Sequence, residues 1–209
     1  MTESAPTRQR LLGQGLGLFA ERGFCATSVG DIESAAGLQP RRGALYKHFP
    51  SKHALLEAAV RSHLDNAAAG ATRISDLASL GDLRADPEGL RPTVLALGRW
   101  FLQEMDRLKE LTRLLEHDGQ RMADLTAEVK TGIVDLSYRT AASLITAIAP
   151  ATQDPEATAL LVLGPLVAHR RTAWTFGSPA LDLDDDRVLT AWCESTLVML
   201  DPTGHEARP

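Results

Sequence analysis

ATSVGDIESAAGLQPRRGALYKHFPSKHALL, residues 26–56, decides how the rest of the chain is read. Thr27 or Ser28 stands where a side chain caps a short helix, VGDIESAA, and Gly37 where a glycine stops one. Pro40 suits the first turn of a further helix, which is expected to run through Arg41, Arg42, Ala44 and Leu45 to Tyr46. Pro50 breaks that helix, and Ser51 caps another that opens with KHALLEAAV. Two short helices about a glycine turn make a helix-turn-helix, whose second member can lie in a major groove. Arg41, Arg42, Lys47 and Lys52 sit on or just after that second member, with Tyr46 and His48 among them and no acid between Gln39 and Lys52. Duplex DNA is the partner that makes sense of such a cluster.

Upstream, RQRLLGQGLGLFAERGF reads as a helix with Leu12, Gly15, Leu16 and Phe19 on one face, ending at Gly23. Gly13, Gly15 and Gly17 each cost that helix about 0.5–1 kcal/mol relative to alanine. GQGLG there lacks both the spacing of a dinucleotide fingerprint and a preceding strand, so it implies no nucleotide site.

The cluster stands out against an acidic chain of 209 residues with formal net charge −5. Residues 1–60 hold seven Lys/Arg and five Asp/Glu, whereas residues 61–209 hold 15 and 22. An anionic partner is therefore expected at the N-terminal end. Few strand-favouring runs occur, which points to an all-α fold. The longest apolar run, ALLVLGPLVA at 159–168, falls well short of the roughly 20 residues a membrane span needs. No basic start is followed by an apolar core, and Cys25 and Cys193 are isolated, so a cytoplasmic protein with free thiols and no membrane partner is expected.

Beyond residue 60 the periodicity stays helical. One stripe is Leu97, Phe101, Met105 and Leu108, and a longer one runs from Met122 through Leu125, Val129, Ile133, Leu136, Thr140 and Leu144 to Ile148. Breaks are expected from Gly70 to Pro92, at Pro150 to Pro155 and at Gly177 to Pro179, with 201–209 a frayed tail. Segments 160–174 and 188–200 are apolar on two faces, as expected where a second copy of the chain covers one of them. Asp184 to Asp186 are read as capping and charge-complementing a helix N-terminus rather than binding metal.

The N-terminal ~60 residues resemble the DNA-binding domain of the tetracycline-repressor (TetR) family of bacterial transcriptional regulators. LFAERGF (18–24), ATSVGDI (26–32), AAGL (35–38) and GALYKHFPSKHALL (43–56) carry the resemblance. It implies an all-α fold, with a three-helix DNA-binding domain at 1–50 and an effector-binding and dimerisation domain at 51–209, entered by a long helix from about residue 51. It implies a homodimer on a near-palindromic operator, released by a small-molecule effector, with no cofactor and no enzymatic activity. Thr27, Tyr46 and Lys52 match positions that usually hold phosphates, and Ser28, Gln39, Arg41, Arg42, Ala44, Lys47 and His48 complete the candidate DNA-binding set. Two more residues than usual separate Leu38 from the Leu45-Tyr46 pair, which leaves open which of Gln39, Arg41, Arg42 and Ala44 reaches a base.

The effector candidates are Trp100, Phe101, Met105, His117, Arg121, Tyr138, His169, Arg170 and Trp174, aromatic or polar residues near apolar stripes. No nucleophile, metal or phosphate-loop motif appears, so no catalytic or metal set is assigned. A helical scaffold without sequence-specific DNA binding is the alternative; it explains the apolar helices but not the basic turn.

Overall fold

A computed structural model of the chain describes residues 4–40, 42–79 and 87–200, and among these every regular element is helical. The α-helices are α1 Ser4–Arg22, α2 Val29–Ala35, α3 Lys52–Ser79, α4 Pro87–Arg107, α5 Lys109–Asp118, α6 Ala123–Val129, α7 Leu136–Ile148, α8 Pro155–Phe176 and α9 Asp185–Leu200. The chain divides into two compact units, Met1–Asn66 with Leu108–Ile133, and Ala67–Arg107 with Val134–Pro209. The residue-50 boundary expected from the resemblance falls inside the first unit.

In the first unit α1 packs on α2 and α5. Its interior is built from Leu11, Leu16 and Phe19 of α1, Ile32 of α2, Leu55 and Leu56 of α3, and Leu111 and Leu114 of α5. Gly15 lets Leu55 approach α1 closely: a Cβ there would lie 2.6 Å from Leu55 Cδ2, and that buried leucine would have to shift. Gly13 and Gly17 have no neighbour within 4 Å of such a Cβ, and no packing requirement explains them. Gly23 ends α1 with φ +84°, and its amide donates to the Phe19 carbonyl.

In the second unit α7 packs along α8, and α4 against both α8 and α9. Val94, Leu102, Ile145, Leu166, Leu189 and Trp192 lie in its core. The Trp192 indole N–H donates to the Val162 carbonyl at 2.6 Å. Asp154 caps α8 by accepting the Ala157 amide, and Gly177 closes it at φ +84°.

Two expectations about elements change. Gly70 does not break α3, which runs on to Ser79; Gly70 instead admits Trp100, whose ring would lie 3.0 Å from a Cβ there. At the other end of that expected break residues 87–92 already belong to α4, with Pro92 inside that helix, while 80–86 and the tail at 201–209 lie outside the described residues. The long Met122–Ile148 stripe is not one α-helix, since Lys130–Asp135 between α6 and α7 is wound as a π-helix.

Candidate nucleic-acid interface

The helix-turn-helix begins as expected at α2. Ser28 is its cap: Ser28 Oγ accepts the Asp31 amide at 3.2 Å, and Asp31 Oδ2 accepts the Ser28 amide at 2.9 Å, a reciprocal capping box. Gly37 follows α2 with φ +71°, as a C-terminal glycine should.

The second member is shorter than expected. Among the described residues no α-helix takes in Pro40 or 42–46: Pro40 and 42–44 are non-helical, and a single 3-10 turn, Leu45–Lys47, follows. Gly43 has φ +71°, a left-handed conformation incompatible with an α-helix through it. The two additional residues are thus spent on the loop and not on a longer helix. Arg41 lies outside the described residues.

This turn presents its polar residues outward on a buried base. Leu45 and Phe49 are in the core, while Tyr46 is 58% exposed and Arg42, Lys47 and Gln39 are exposed. Tyr46 is therefore more exposed than buried, with much of its side chain open to a partner. Ala44 and His48 are half-buried at the ends of the turn. The Arg8 guanidinium lies 5.0 Å from the centroid of the Phe49 ring and is exposed, which adds a cation beside the turn.

Thr27 and Lys52 have a different use. Thr27 is 1% exposed, and its hydroxyl lies 2.9 Å from the Gly23 carbonyl oxygen and 3.2 Å from that of Leu18. That hydroxyl has one proton, which is given inward, so its side chain is not available to a phosphate. The Lys52 ammonium donates to the carbonyls of Phe24 at 2.6 Å and Thr27 at 2.7 Å, and stands 4.3 Å from the Phe24 ring centroid. At the N-terminus of α3 a cation is unfavourable for the helix dipole. The two carbonyls and the ring offset that penalty, so Lys52 serves first to staple the turn after α1 to α3. Ser51 caps α3 through the Ala54 amide, as expected.

A residue distant in sequence completes the same turn. Asp118, buried at the end of α5, accepts the Phe24 amide. That bond holds its carboxyl below the ordinary carboxylate range against the opposing effect of burial, with His117 and Arg121 adding their charge. His117 and Arg121, expected at an effector site, flank Asp118 in the first unit.

The other seven effector candidates belong to the second unit. Phe101 and Tyr138 pack against its core, Trp100 covers Gly70, and Met105 and Trp174 are half-buried. Arg170 is engaged bidentately with Asp185 at 2.7 Å for each bond, and His169 Nε2 lies 3.0 Å from the same carboxylate. Those two are therefore occupied in tying α8 to α9. Asp184 caps α9 through the Arg187 amide, and Asp186 pairs with Arg99, so each acid of the 184–186 run has its own partner. Among the described residues no group of three or more His, Cys, Asp or Glu side chains is placed to hold a metal, and no helix is long and apolar enough to cross a membrane.

Residues 11–59 match the family of bacterial regulatory proteins described as the tetR family. The chain resembles the TetR family over this segment. Over 59 residues it is 46% identical to the HTH-type transcriptional repressor KstR2 of Rhodococcus jostii (strain RHA1), covering 28% of each chain. Over 68 residues it is 38% identical to the HTH-type transcriptional regulator UidR of Escherichia coli (strain K12), covering 32% of this chain and 34% of that one. The chain thus spans about a third or less of the length of these curated relatives. Two solved structures extend the likeness in fold. One, from Mesorhizobium loti MAFF303099 and described as a TetR-family transcriptional regulator, has a TM-score of 0.65 at 22% identity and covers 95% of this chain and 98% of that one. The other, a transcriptional regulator from Aquifex aeolicus VF5, has a TM-score of 0.55 at 20% identity over 92% and 99% of the two chains.

Three residues of this region escape a reading of the sequence by motif. Arg8 was detectable, since it continues the Leu12-Leu16-Phe19 face by one turn and sets a cation where that face leaves the core. Glu33, fully buried in α2, stands between Asp31 and Ser34, so its sequence neighbours do not mark it as buried. Asp118 carries no local signal, because its partner is 94 residues away.

Proposed function

We propose that the protein is a ligand-responsive transcriptional repressor that binds a near-palindromic operator as a homodimer. The exposed Tyr46-Lys47 turn, rooted on buried Leu45 and Phe49 and flanked by Arg42 and Arg8, carries this reading. Cations positioned over phosphates supply affinity, and the groups between them reach base edges. Arg42, Gln39 and Ala44 are proposed at the groove; Tyr46, Lys47, His48 and Arg8 are proposed at phosphates. Residues 1–50 are the DNA-reading segment, and the remainder binds effector and dimerises. The exposed apolar side chains of α8 and α9 (Leu160, Leu161, Val198 and Met199) support self-association. A small, largely apolar effector between the helices of the second unit would release DNA by favouring a conformation whose two heads no longer meet successive grooves. A cytoplasmic setting follows from that role.

The test is selection from random duplexes by the full chain, followed by titration of the selected site at several salt concentrations. A near-palindrome with half-sites about one helical turn apart, bound less tightly as salt rises, is expected. Failure to retain any duplex at low salt would sink the proposal.

A further inference from the structure

One residue of α2 bonds the chain both at Leu38 and at Leu45, on either side of the turn's approach. The Glu33 carbonyl oxygen accepts the Leu38 amide at 2.8 Å, and Glu33 Oε1 accepts the Leu45 amide at 3.0 Å. Glu33 is 0% exposed. A carboxylate so placed is unfavourable unless bonded, and the amide at the start of a single helical turn lacks an intrahelical acceptor. The bond satisfies that amide and helps to offset the burial of the carboxylate. Without the side-chain bond the loop keeps its anchor at Leu38 and loses the one at Leu45, the residue from which Tyr46 and Lys47 project.

We propose that Glu33 is the positioning residue of the DNA-reading turn: it sets sequence preference without touching DNA, by fixing where Arg42 and Ala44 stand relative to α2. This inference rests on the DNA-binding reading above. A displaced turn still carries its cations to phosphates, whereas base contacts fail when their geometry shifts. Discrimination should therefore fall while general affinity for duplex persists.

The experiment compares the full-length wild type with Glu33→Gln, which keeps an acceptor oxygen, and Glu33→Met, which keeps the side-chain volume without one. Each chain is titrated with the wild-type selected site and with a scrambled duplex at several salt concentrations. For Glu33→Met the ratio of the two affinities is expected to fall at least about fivefold, with scrambled-site affinity and salt slope unchanged. Glu33→Gln is expected to restore most of that ratio. Equal discrimination by the two variants, from a wild type that does select a site, would overturn the inference alone. Loss of the fold in Glu33→Met would also overturn it, by making the role of Glu33 general and not local. A wild type that prefers no duplex would remove the inference together with the function on which it rests.

Discussion

Asp118 Oδ2 accepts the amide N–H of Phe24 at 2.7 Å, across 94 residues of chain. The bond joins the end of α5 to the turn that separates α1 from α2, and the approach is close: a Cβ at Gly23 would lie 3.1 Å from the same oxygen. Asp118→Ala leaves a partly buried amide without its acceptor and is expected to lower stability by about 1–3 kcal/mol. Asp118→Asn keeps an oxygen there and should lose less. Because the folded carboxyl titrates below its ordinary range, its contribution is present above the unfolded value and disappears as pH falls through the folded one. Denaturant unfolding of both variants between neutral and acid pH would show this.

The glycines of α1 separate by sign. Gly15→Ala drives a methyl to 2.6 Å from Leu55 Cδ2, so that substitution is expected to destabilise by about 1–3 kcal/mol. Gly13→Ala and Gly17→Ala meet nothing within 4 Å and should each stabilise the helix by about 0.5–1 kcal/mol. Thermal melts of the three single variants decide the matter.

These positions also show how far the sequence can be read. Caps and stops are local chemistry, so Ser28, Gly37 and Ser51 were legible from a few residues each. The turn at 40–47 was not, because proline and alanine there favour helix while the left-handed Gly43 decides against it, and glycine can take either course. The intramolecular partners of Thr27 and Lys52 were hidden for another reason. A family position records which residue stands there, not which carbonyls lie within reach, and Lys52 finds those of Phe24 and Thr27 by tertiary packing. His169 and Arg170 were sought at an effector site for their polarity, yet that polarity is answered by Asp185. Lys52 stands 28 and 25 residues from its two carbonyls, and Arg170 15 from Asp185, distances that no short motif spans.

The exposed apolar side chains of α8 and α9 offer a test of the proposed dimer. Leu161 is 65% exposed and Val198 76%, and neither supports the interior of its own unit. Val198→Asp and Leu161→Asp should therefore preserve helix content and shift the chain from dimer to monomer. Light scattering at micromolar concentration, beside far-ultraviolet circular dichroism, distinguishes this from unfolding. A wild type with the scattering mass of a single 22.5 kDa chain would remove the dimer.

Asp185 gives the second unit an acid sensitivity. The bidentate bond from Arg170, aided by His169, holds its pKa down from 3.8 to about 2, although partial burial pushes it upward. A depressed folded-state value means that the stabilisation is whole above about pH 4 and is lost as pH falls toward 2. The wild type should accordingly exceed Asp185→Asn in melting temperature near neutrality, and the difference should shrink over that interval. A difference constant across it would show that the α8–α9 tie does not depend on the charge of Asp185.

Lys47 and Lys52 lie five residues apart and should respond to substitution in opposite ways. Lys47 is exposed on the 3-10 turn, whereas Lys52 directs its ammonium at two backbone carbonyls and an aromatic ring. A cation that neutralises a phosphate on binding contributes roughly one to the slope of log affinity against log salt. Lys47→Ala, and likewise Arg8→Ala, should therefore flatten that slope by about one and weaken binding to all duplexes alike. Lys52→Ala should leave the slope of the remaining folded protein nearly unchanged and lower its unfolding midpoint, since it removes charge-assisted bonds of the kind worth about 1.5–3 kcal/mol each. Salt titrations on one duplex, run beside denaturant melts, separate the two effects. If Lys52→Ala flattens the slope as much as Lys47→Ala and melts like the wild type, then its ammonium leaves Phe24 and Thr27 for a phosphate on binding, and the staple is a feature of the free protein alone.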